Sequence, residues 1–311
     1  MELRKAYADG LARLMKENDK IFVLDADLAG AGGTKGLYKE FPERCVNVGI
    51  AEANMACIAT GLAASGFVPF IHSFAPFSVR RIFDQIAVSI CYSEQNVRIV
   101  GFDPGVLTTY NGGTHMCFED IASLRALPNI AVLDIVDGVQ LAKALPYIVE
   151  HKGPMYLRFV RKQTEELFDD SYEFHFGKAD KIASGKDITI VASGTSLFDA
   201  TEAAKLLKKE GISVELLGIH TIKPFDEKAI IKSAQKTGAV LTVENHSIHG
   251  GLYSAVTETL SANCPTICDA VAVRDKLTQV GSLNDLKRDY GLTVEDIVAR
   301  AKALVAKKVK E

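Results

Sequence analysis

A single carboxylate, Glu52, stands where the strand-like run Cys45-Val46-Asn47-Val48 gives way to a helix of small apolar residues over 51–64. A glutamate in a first helical turn complements the helix dipole. A carboxyl group entering a dry helix face is also desolvated, which favours holding or sharing a proton near neutrality. Further along, Phe70-Ile71-His72-Ser73-Phe74-Ala75-Pro76-Phe77 places two aromatics three apart around a proline. Such a pair either packs a core or walls a flat ligand. The segment from Asp103 through Asn111-Gly112-Gly113-Thr114-His115 is polar and glycine-rich, and follows the strand-like Arg98-Ile99-Val100-Gly101. A loop after a strand is where α/β proteins present ligand-binding groups, and histidine, which titrates near neutrality, suits proton transfer there. Two arginines, Arg4 in Leu3-Arg4-Lys5-Ala6 and Arg161 in Leu157-Arg158-Phe159-Val160-Arg161, offer planar forks that match phosphate oxygens.

The elements that must position these residues alternate regularly. Strands are expected at 21–24, 45–48, 67–72, 97–101, 130–133 and 155–159, with the longest helices at 75–92 and 138–151. A helix beginning near Phe118 follows the polar loop. Lys162 to Lys178 breaks the rhythm with charges and aromatics, and a second alternation follows, with strands at 188–192, 214–219, 239–243 and 266–271. Helices there are expected at 197–209, 229–235, 252–260 and 294–306. The fold class is therefore α/β, in two consecutive domains, each a mostly parallel sheet covered by helices. The expected boundaries are 1–165, a linker at 166–178, and 179–311.

The order strand, Gly-x-x-Glu helix, strand, paired aromatics resembles the thiamine diphosphate pyrimidine-binding domain of the transketolase family. The resemblance implies that Glu52 drives the cofactor's aminopyrimidine toward its imino form and that Phe74 and Phe77 wall the ring. Asp-Ala-Asp-Leu at 25–28 is similar to a family motif, which implies that Asp27 lies near the thiazolium. In the family, the histidine matching His115 contacts substrate oxygens and moves protons. The same resemblance gives Arg4, His72, Asp103, Asn111 and Arg161 as substrate-binding residues, with the arginines on the phosphate. Asn111 departs from the family's usual aspartate, since an amide keeps an acceptor but loses the charge, and this bears on the preferred sugar. The second half resembles the transketolase C-terminal domain, including Gly218-Ile219-His220-Thr221-Ile222-Lys223-Pro224-Phe225 and Glu244-Asn245-His246-Ser247-Ile248-His249. His246 and His249 are read as structural.

Composition bounds the alternatives. The 311 residues are 48% hydrophobic and 24% charged, enough apolar material for two cores and against disorder. Lysine and arginine number 36 against 39 acidic residues, a formal charge of −3 that offers no nucleic-acid or membrane surface. There is no signal-peptide pattern or bilayer-length apolar run, and the six cysteines, at 45, 57, 91, 117, 264 and 268, form no Cys-x-x-Cys pair. The expectation is a reduced, cytoplasmic protein.

Thiamine diphosphate is held through Mg²⁺, a hard ion that needs oxygen ligands, and the family's Gly-Asp-Gly…Asn motif for it is missing from this chain. Gly30-Ala31-Gly32-Gly33-Thr34-Lys35 fits neither the dinucleotide fingerprint nor the P-loop spacing. No metal ligands are assigned here. The resemblance covers essentially the whole chain but only the last two domains of a three-domain enzyme. It implies the C-terminal subunit of a split transketolase acting on sugar phosphates. An N-terminal partner subunit would carry the diphosphate and Mg²⁺ half, with two copies of each chain in the assembly. Two alternatives stay open: the β-chain of a 2-oxo acid dehydrogenase's decarboxylating component, and a non-catalytic assembly subunit.

Overall fold

The computed structural model describes residues 2–308; Met1 and 309–311, at the ends of the two expected domains, lie outside the described residues. Among the described residues twelve strands occur in chain order: β1 Ile21–Asp25, β2 Cys45–Asn47, β3 Val68–Phe74, β4 Arg98–Phe102, β5 Ala131–Asp134, β6 Met155–Phe159, β7 Asp180–Ala183, β8 Ile188–Ser193, β9 Val214–Ile219, β10 Thr221–Lys223, β11 Ala239–Ser247 and β12 Ile267–Val273. They form a seven-stranded sheet, β10-β5-β6-β4-β3-β1-β2, and a five-stranded sheet, β12-β11-β8-β9-β7. Apart from β10 on β5 and β7 on β9, every pairing is parallel. The central strands β4, β6, β8 and β9 are buried along their whole length, as strands covered by helices on both faces must be.

Two strands fall outside the sequence expectation, and one changes the picture of the halves. β10, from the second half, pairs antiparallel with β5 and so extends the first sheet (Thr221 opposite Leu133). The halves also share an apolar core that joins Leu24, Ile71 and Ile99 to Ile219, Ile222 and Val256. A buried ionic cluster also joins the halves. The Arg158 guanidinium sits 3.1 Å from Asp120 and 3.4 Å from Asp134, and donates to the backbone carbonyl of Asn245. Asp134 in turn accepts from Ser193 of β8. Burial pushes the Asp134 carboxyl up, against the pull of Arg158.

The helix expected over 75–92 is instead three pieces: Ala75–Ser78, a 3₁₀ turn at Arg80–Ile82 and a π-type stretch at Gln85–Tyr92. Val79 has left the helical region (φ −125°, ψ −73°). The break sends Arg80 to Glu119 and Arg81 to Glu52. A short helix absent from the expectation, Leu283–Tyr290, starts where the Ser282 hydroxyl accepts from the Asp285 N–H, and ends on a left-handed glycine, Gly291. The 166–178 segment is irregular yet anchored. Asp137 accepts from the Leu167 and Phe168 N–H groups, and Phe174 and Phe176 pack on His220 and Tyr147. Among the described residues no helix is long and apolar enough to cross a membrane.

Candidate active site

The sequence-derived residues gather at the carboxyl ends of β1, β2, β3, β4 and β6, the edge of a parallel sheet where ligands bind. Glu52 opens the helix Glu52–Ala64 just after β2, and is 3% exposed. Both of its oxygens accept from the Arg81 Nη1 at 2.8 Å, and Ser73 lies at 3.4 Å. The Arg81 guanidinium carbon lies over the Phe77 ring, 3.9 Å from its centroid. Phe74 and Phe77 meet edge to face, and the His115 ring contacts both, with centroids 5.6 and 5.1 Å away. Thr114 Oγ1 lies 2.8 Å from His115 Nδ1 and so restrains the imidazole.

Beyond Phe74 the row continues into positive charge. Arg161 covers the other aromatic at 4.7 Å and is anchored on Asp103, with its Nε at 2.8 Å and Nη2 at 2.7 Å from Oδ2. The Arg161 backbone N–H takes the second Asp103 oxygen. Arg161 Nη1 and Arg4 Nη1 both donate to the Ala31 carbonyl, at 3.3 and 3.4 Å. Two guanidinium groups from opposite ends of the first domain therefore stand side by side over the Gly30–Lys35 loop. The pair is suited to an oxyanion with several acceptor oxygens.

Three residues of the expected set stand apart from this row. His72 is fully buried inside β3, with Nε2 2.7 Å from the Tyr7 hydroxyl, Nδ1 3.0 Å from the Leu24 carbonyl, and its ring stacked on Phe102. Burial lowers its affinity for a proton, although Asp25 opposes this. Both nitrogens are engaged in the core, so His72 lies beneath the row of site residues and not in it. Asp27 is exposed after β1, where its hydrogen bonds run to Asn47. Asn111 is exposed at the tip of the 103–115 loop. In the second half, His246 is buried between Asp120 and Glu244, and burial pushes it down to about 4; His249 is exposed.

Sequence reasoning missed Arg81. The adjacent pair Arg80-Arg81 after Phe77 was the available signal, but an unbroken helix over 75–92 would not have turned it back to Glu52. Its position also tests what the pocket can hold. A flat, delocalised N–H donor already sits between a carboxylate and an aromatic face, and an aminopyrimidine ring has the same requirements. Among the described residues, no group of three or more His, Cys, Asp or Glu is placed to hold a metal ion.

Comparison with known proteins adds independent findings. The family described as transketolase, pyrimidine binding domain, matches residues 1–166, and transketolase, C-terminal domain, matches 177–297. The chain is 44% identical over 306 residues to the 6-deoxy-6-sulfo-D-fructose transketolase subunit SqwH of Clostridium sp. (strain MSTE9), covering 98% of this chain and 95% of that one. It is 34% identical to human transketolase over 98% of this chain but only 49% of the human protein. Among solved structures, one described as a split gene transketolase, inactive beta4 tetramer, superposes with a TM-score of 0.92 at 40% identity, covering 98% of this chain and 99% of the other.

Proposed function

The chain belongs to the transketolase family, and from that premise we propose that it is the C-terminal subunit of a split, thiamine diphosphate-dependent transketolase that moves a two-carbon ketol unit from a ketose phosphate to an aldose phosphate. The observation that carries the reading is the unbroken row from Arg4 and Arg161, through Phe74, His115 and Phe77, to Glu52. One end suits a substrate's terminal anion and the other a cofactor ring, with a histidine between them. Two converging guanidiniums favour a phosphorylated sugar over the plain keto acid of a dehydrogenase β-chain. The Clostridium relative's name specifies a 6-deoxy-6-sulfo-sugar. A sulfonate is also an oxygen tripod, so a sulfosugar is the natural comparison donor.

When bound, thiamine diphosphate supplies the electron sink that lets the carbon–carbon bond break. The residues of this chain orient and protonate. Arg81 stands in the place that a bound aminopyrimidine would take between Phe77 and Glu52, and Glu52 would hold a proton against a ring nitrogen. Phe74 and Phe77 exclude water from the ring. His115, restrained by Thr114, exchanges protons with the substrate oxygens nearest the bond that breaks. Arg4 and Arg161 hold the distant anion and set the sugar's reach, with Asn111 at the loop tip and Asp27 on the thiazolium side. The diphosphate and its Mg²⁺ are assigned to a partner chain, two copies of each chain forming the assembly. An apolar surface supports such a partner. Ile50 and Tyr92 are 76% and 84% exposed, Val88 is exposed, and the Glu52 helix turns Ala53, Cys57 and Ile58 outward.

Glu52→Gln tests the cofactor end. In the complete assembly, deuterium exchange at the thiazolium carbon, followed by NMR, should slow by orders of magnitude while folding is kept, because an amide can hydrogen-bond but cannot carry the proton. Unchanged exchange would leave Glu52 only the role of complementing the helix dipole in the first turn.

A further inference from the structure

The 103–115 loop, which carries Asn111 and His115, is held at two points by the second half of the chain. At its base, the Asn245 side chain from β11 accepts from the Val106 N–H at 3.0 Å and donates to the Pro104 carbonyl at 2.9 Å. Its amide thus pairs with the backbone on both sides of Gly105. Gly105 has φ +57°, and a Cβ there would run into the Asn245 amide, so the clamp requires this glycine. Asn245 is 8% exposed, and its own carbonyl is fixed by Arg158. At the tip, Thr278 and Val280 press against Gly113 and Gly112, where an added Cβ would come within 2.5 Å of each neighbour. Thr278 Oγ1 also reaches the Gly113 carbonyl at 3.4 Å. The Thr278 segment is itself tied down. Tyr290, packed on Phe118, donates to the Leu277 carbonyl at 2.8 Å.

Between the two grips the loop is closed on itself. The Thr108 hydroxyl lies 2.8 Å from the Asp103 carbonyl and 3.1 Å from that of His115, and the Gly105 N–H donates to Cys117. Thr109 is held at φ 53°, ψ −121°, a conformation that a threonine keeps only where its surroundings over-determine it. Resting on the transketolase reading of His115, we infer that Asn245 and Thr278 are positioning residues: the C-terminal domain sets where His115 and Asn111 stand relative to Phe74 and Phe77. On this view the second half contributes to turnover and sugar choice while touching neither cofactor nor substrate.

The test uses the full chain in its assembly. Asn245→Ala removes two hydrogen bonds, which should raise amide exchange at Val106 and across 105–116 by about thirtyfold. Exchange over 52–64 should be unchanged. Turnover should fall at least tenfold while thiamine diphosphate affinity stays within about twofold. Asn245→Asp keeps an acceptor for Val106 and should recover part of the protection and part of the rate. Thr278→Val keeps shape but loses the hydroxyl. It should shift the ratio of KM values between two donor sugars, and it reports on the tip should Asn245→Ala fold poorly. Unaltered exchange over 105–116 in Asn245→Ala, or rate losses that only track lost cofactor or lost folded protein, would overturn the inference. Absence of ketol transfer in the wild-type assembly would remove the functional reading instead, and the exchange data would still decide whether the clamp exists.

Discussion

Arg161→Ala separates the anion end of the site from its reacting centre. The guanidinium makes two short contacts to Asp103 and one to Ala31, and it lies over Phe74 with only 15% of the side chain exposed. It is therefore pre-oriented, and a phosphate docking between it and Arg4 gains a charge-assisted hydrogen bond of about 1.5–3 kcal/mol at little entropic cost. At 1.4 kcal/mol per factor of ten, kcat/KM for a ketose phosphate should drop by roughly 10- to 150-fold. An unphosphorylated donor such as hydroxypyruvate should lose far less. A second cost is expected in stability, since Asp103, 2% exposed, would keep only the backbone N–H of residue 161; about 1–3 kcal/mol is reasonable for an incompletely buried pair. Arg161→Lys restores the charge without the fork and should lie between the two. Steady-state kinetics with paired donors on the assembled enzyme, beside thermal melts, give both numbers. Equal losses on the two donors would refute the phosphate assignment.

His115→Ala should depress kcat with phosphorylated and plain donors alike, by about a hundredfold or more, since general acid–base contributions are typically of that size; a loss confined to phosphorylated donors would contradict its role. His220 is 1% exposed, and burial holds its pKa down at about 4. Its contribution to stability is complete above the unfolded pKa of about 6.5 and is lost as pH falls through 4, at most about 3 kcal/mol. His220→Leu should accordingly move the acid unfolding midpoint to lower pH, as followed by circular dichroism, and an unmoved midpoint would show that His220 is not a group whose protonation opens the fold.

What was legible in the sequence was local. Short runs rich in apolar residues marked β1, β4 and β6, interrupted only by Asp25, Arg98 and Arg158, and the Glu52 helix announced itself through small residues after a short strand. The family resemblance, not spacing, put Phe74, Phe77 and His115 in one site; the fold brings them together because each lies at or after the carboxyl end of a strand of the same sheet, where such ends converge. Three-residue β10 was too short to show periodicity, and its partner β5 lies some ninety residues earlier. The Asn245 clamp spans 139 residues to Val106, a separation that no pattern along the chain can signal. The placement of His72 inside the sheet was hidden for a related reason. β3 is buried on both faces, so alternation does not tell an inward side chain from one facing the site. The break at Val79, which aims Arg81 at Glu52, has no marker in the sequence, where the mostly apolar stretch 86–91 reads as a continuing helix.

On the reading proposed above, this chain supplies the pyrimidine half and the substrate row of a site completed by another chain. The most direct test of that reading mixes the purified chain with a partner subunit bearing the Gly-Asp-Gly…Asn motif, thiamine diphosphate and Mg²⁺, and follows ketol transfer from a ketose phosphate to an aldose phosphate. The chain alone should bind the cofactor weakly and show no turnover, and mixing should restore both together at a one-to-one chain ratio. Robust transfer by the isolated chain, or an assembly that decarboxylates pyruvate briskly and ignores every sugar phosphate, would contradict it.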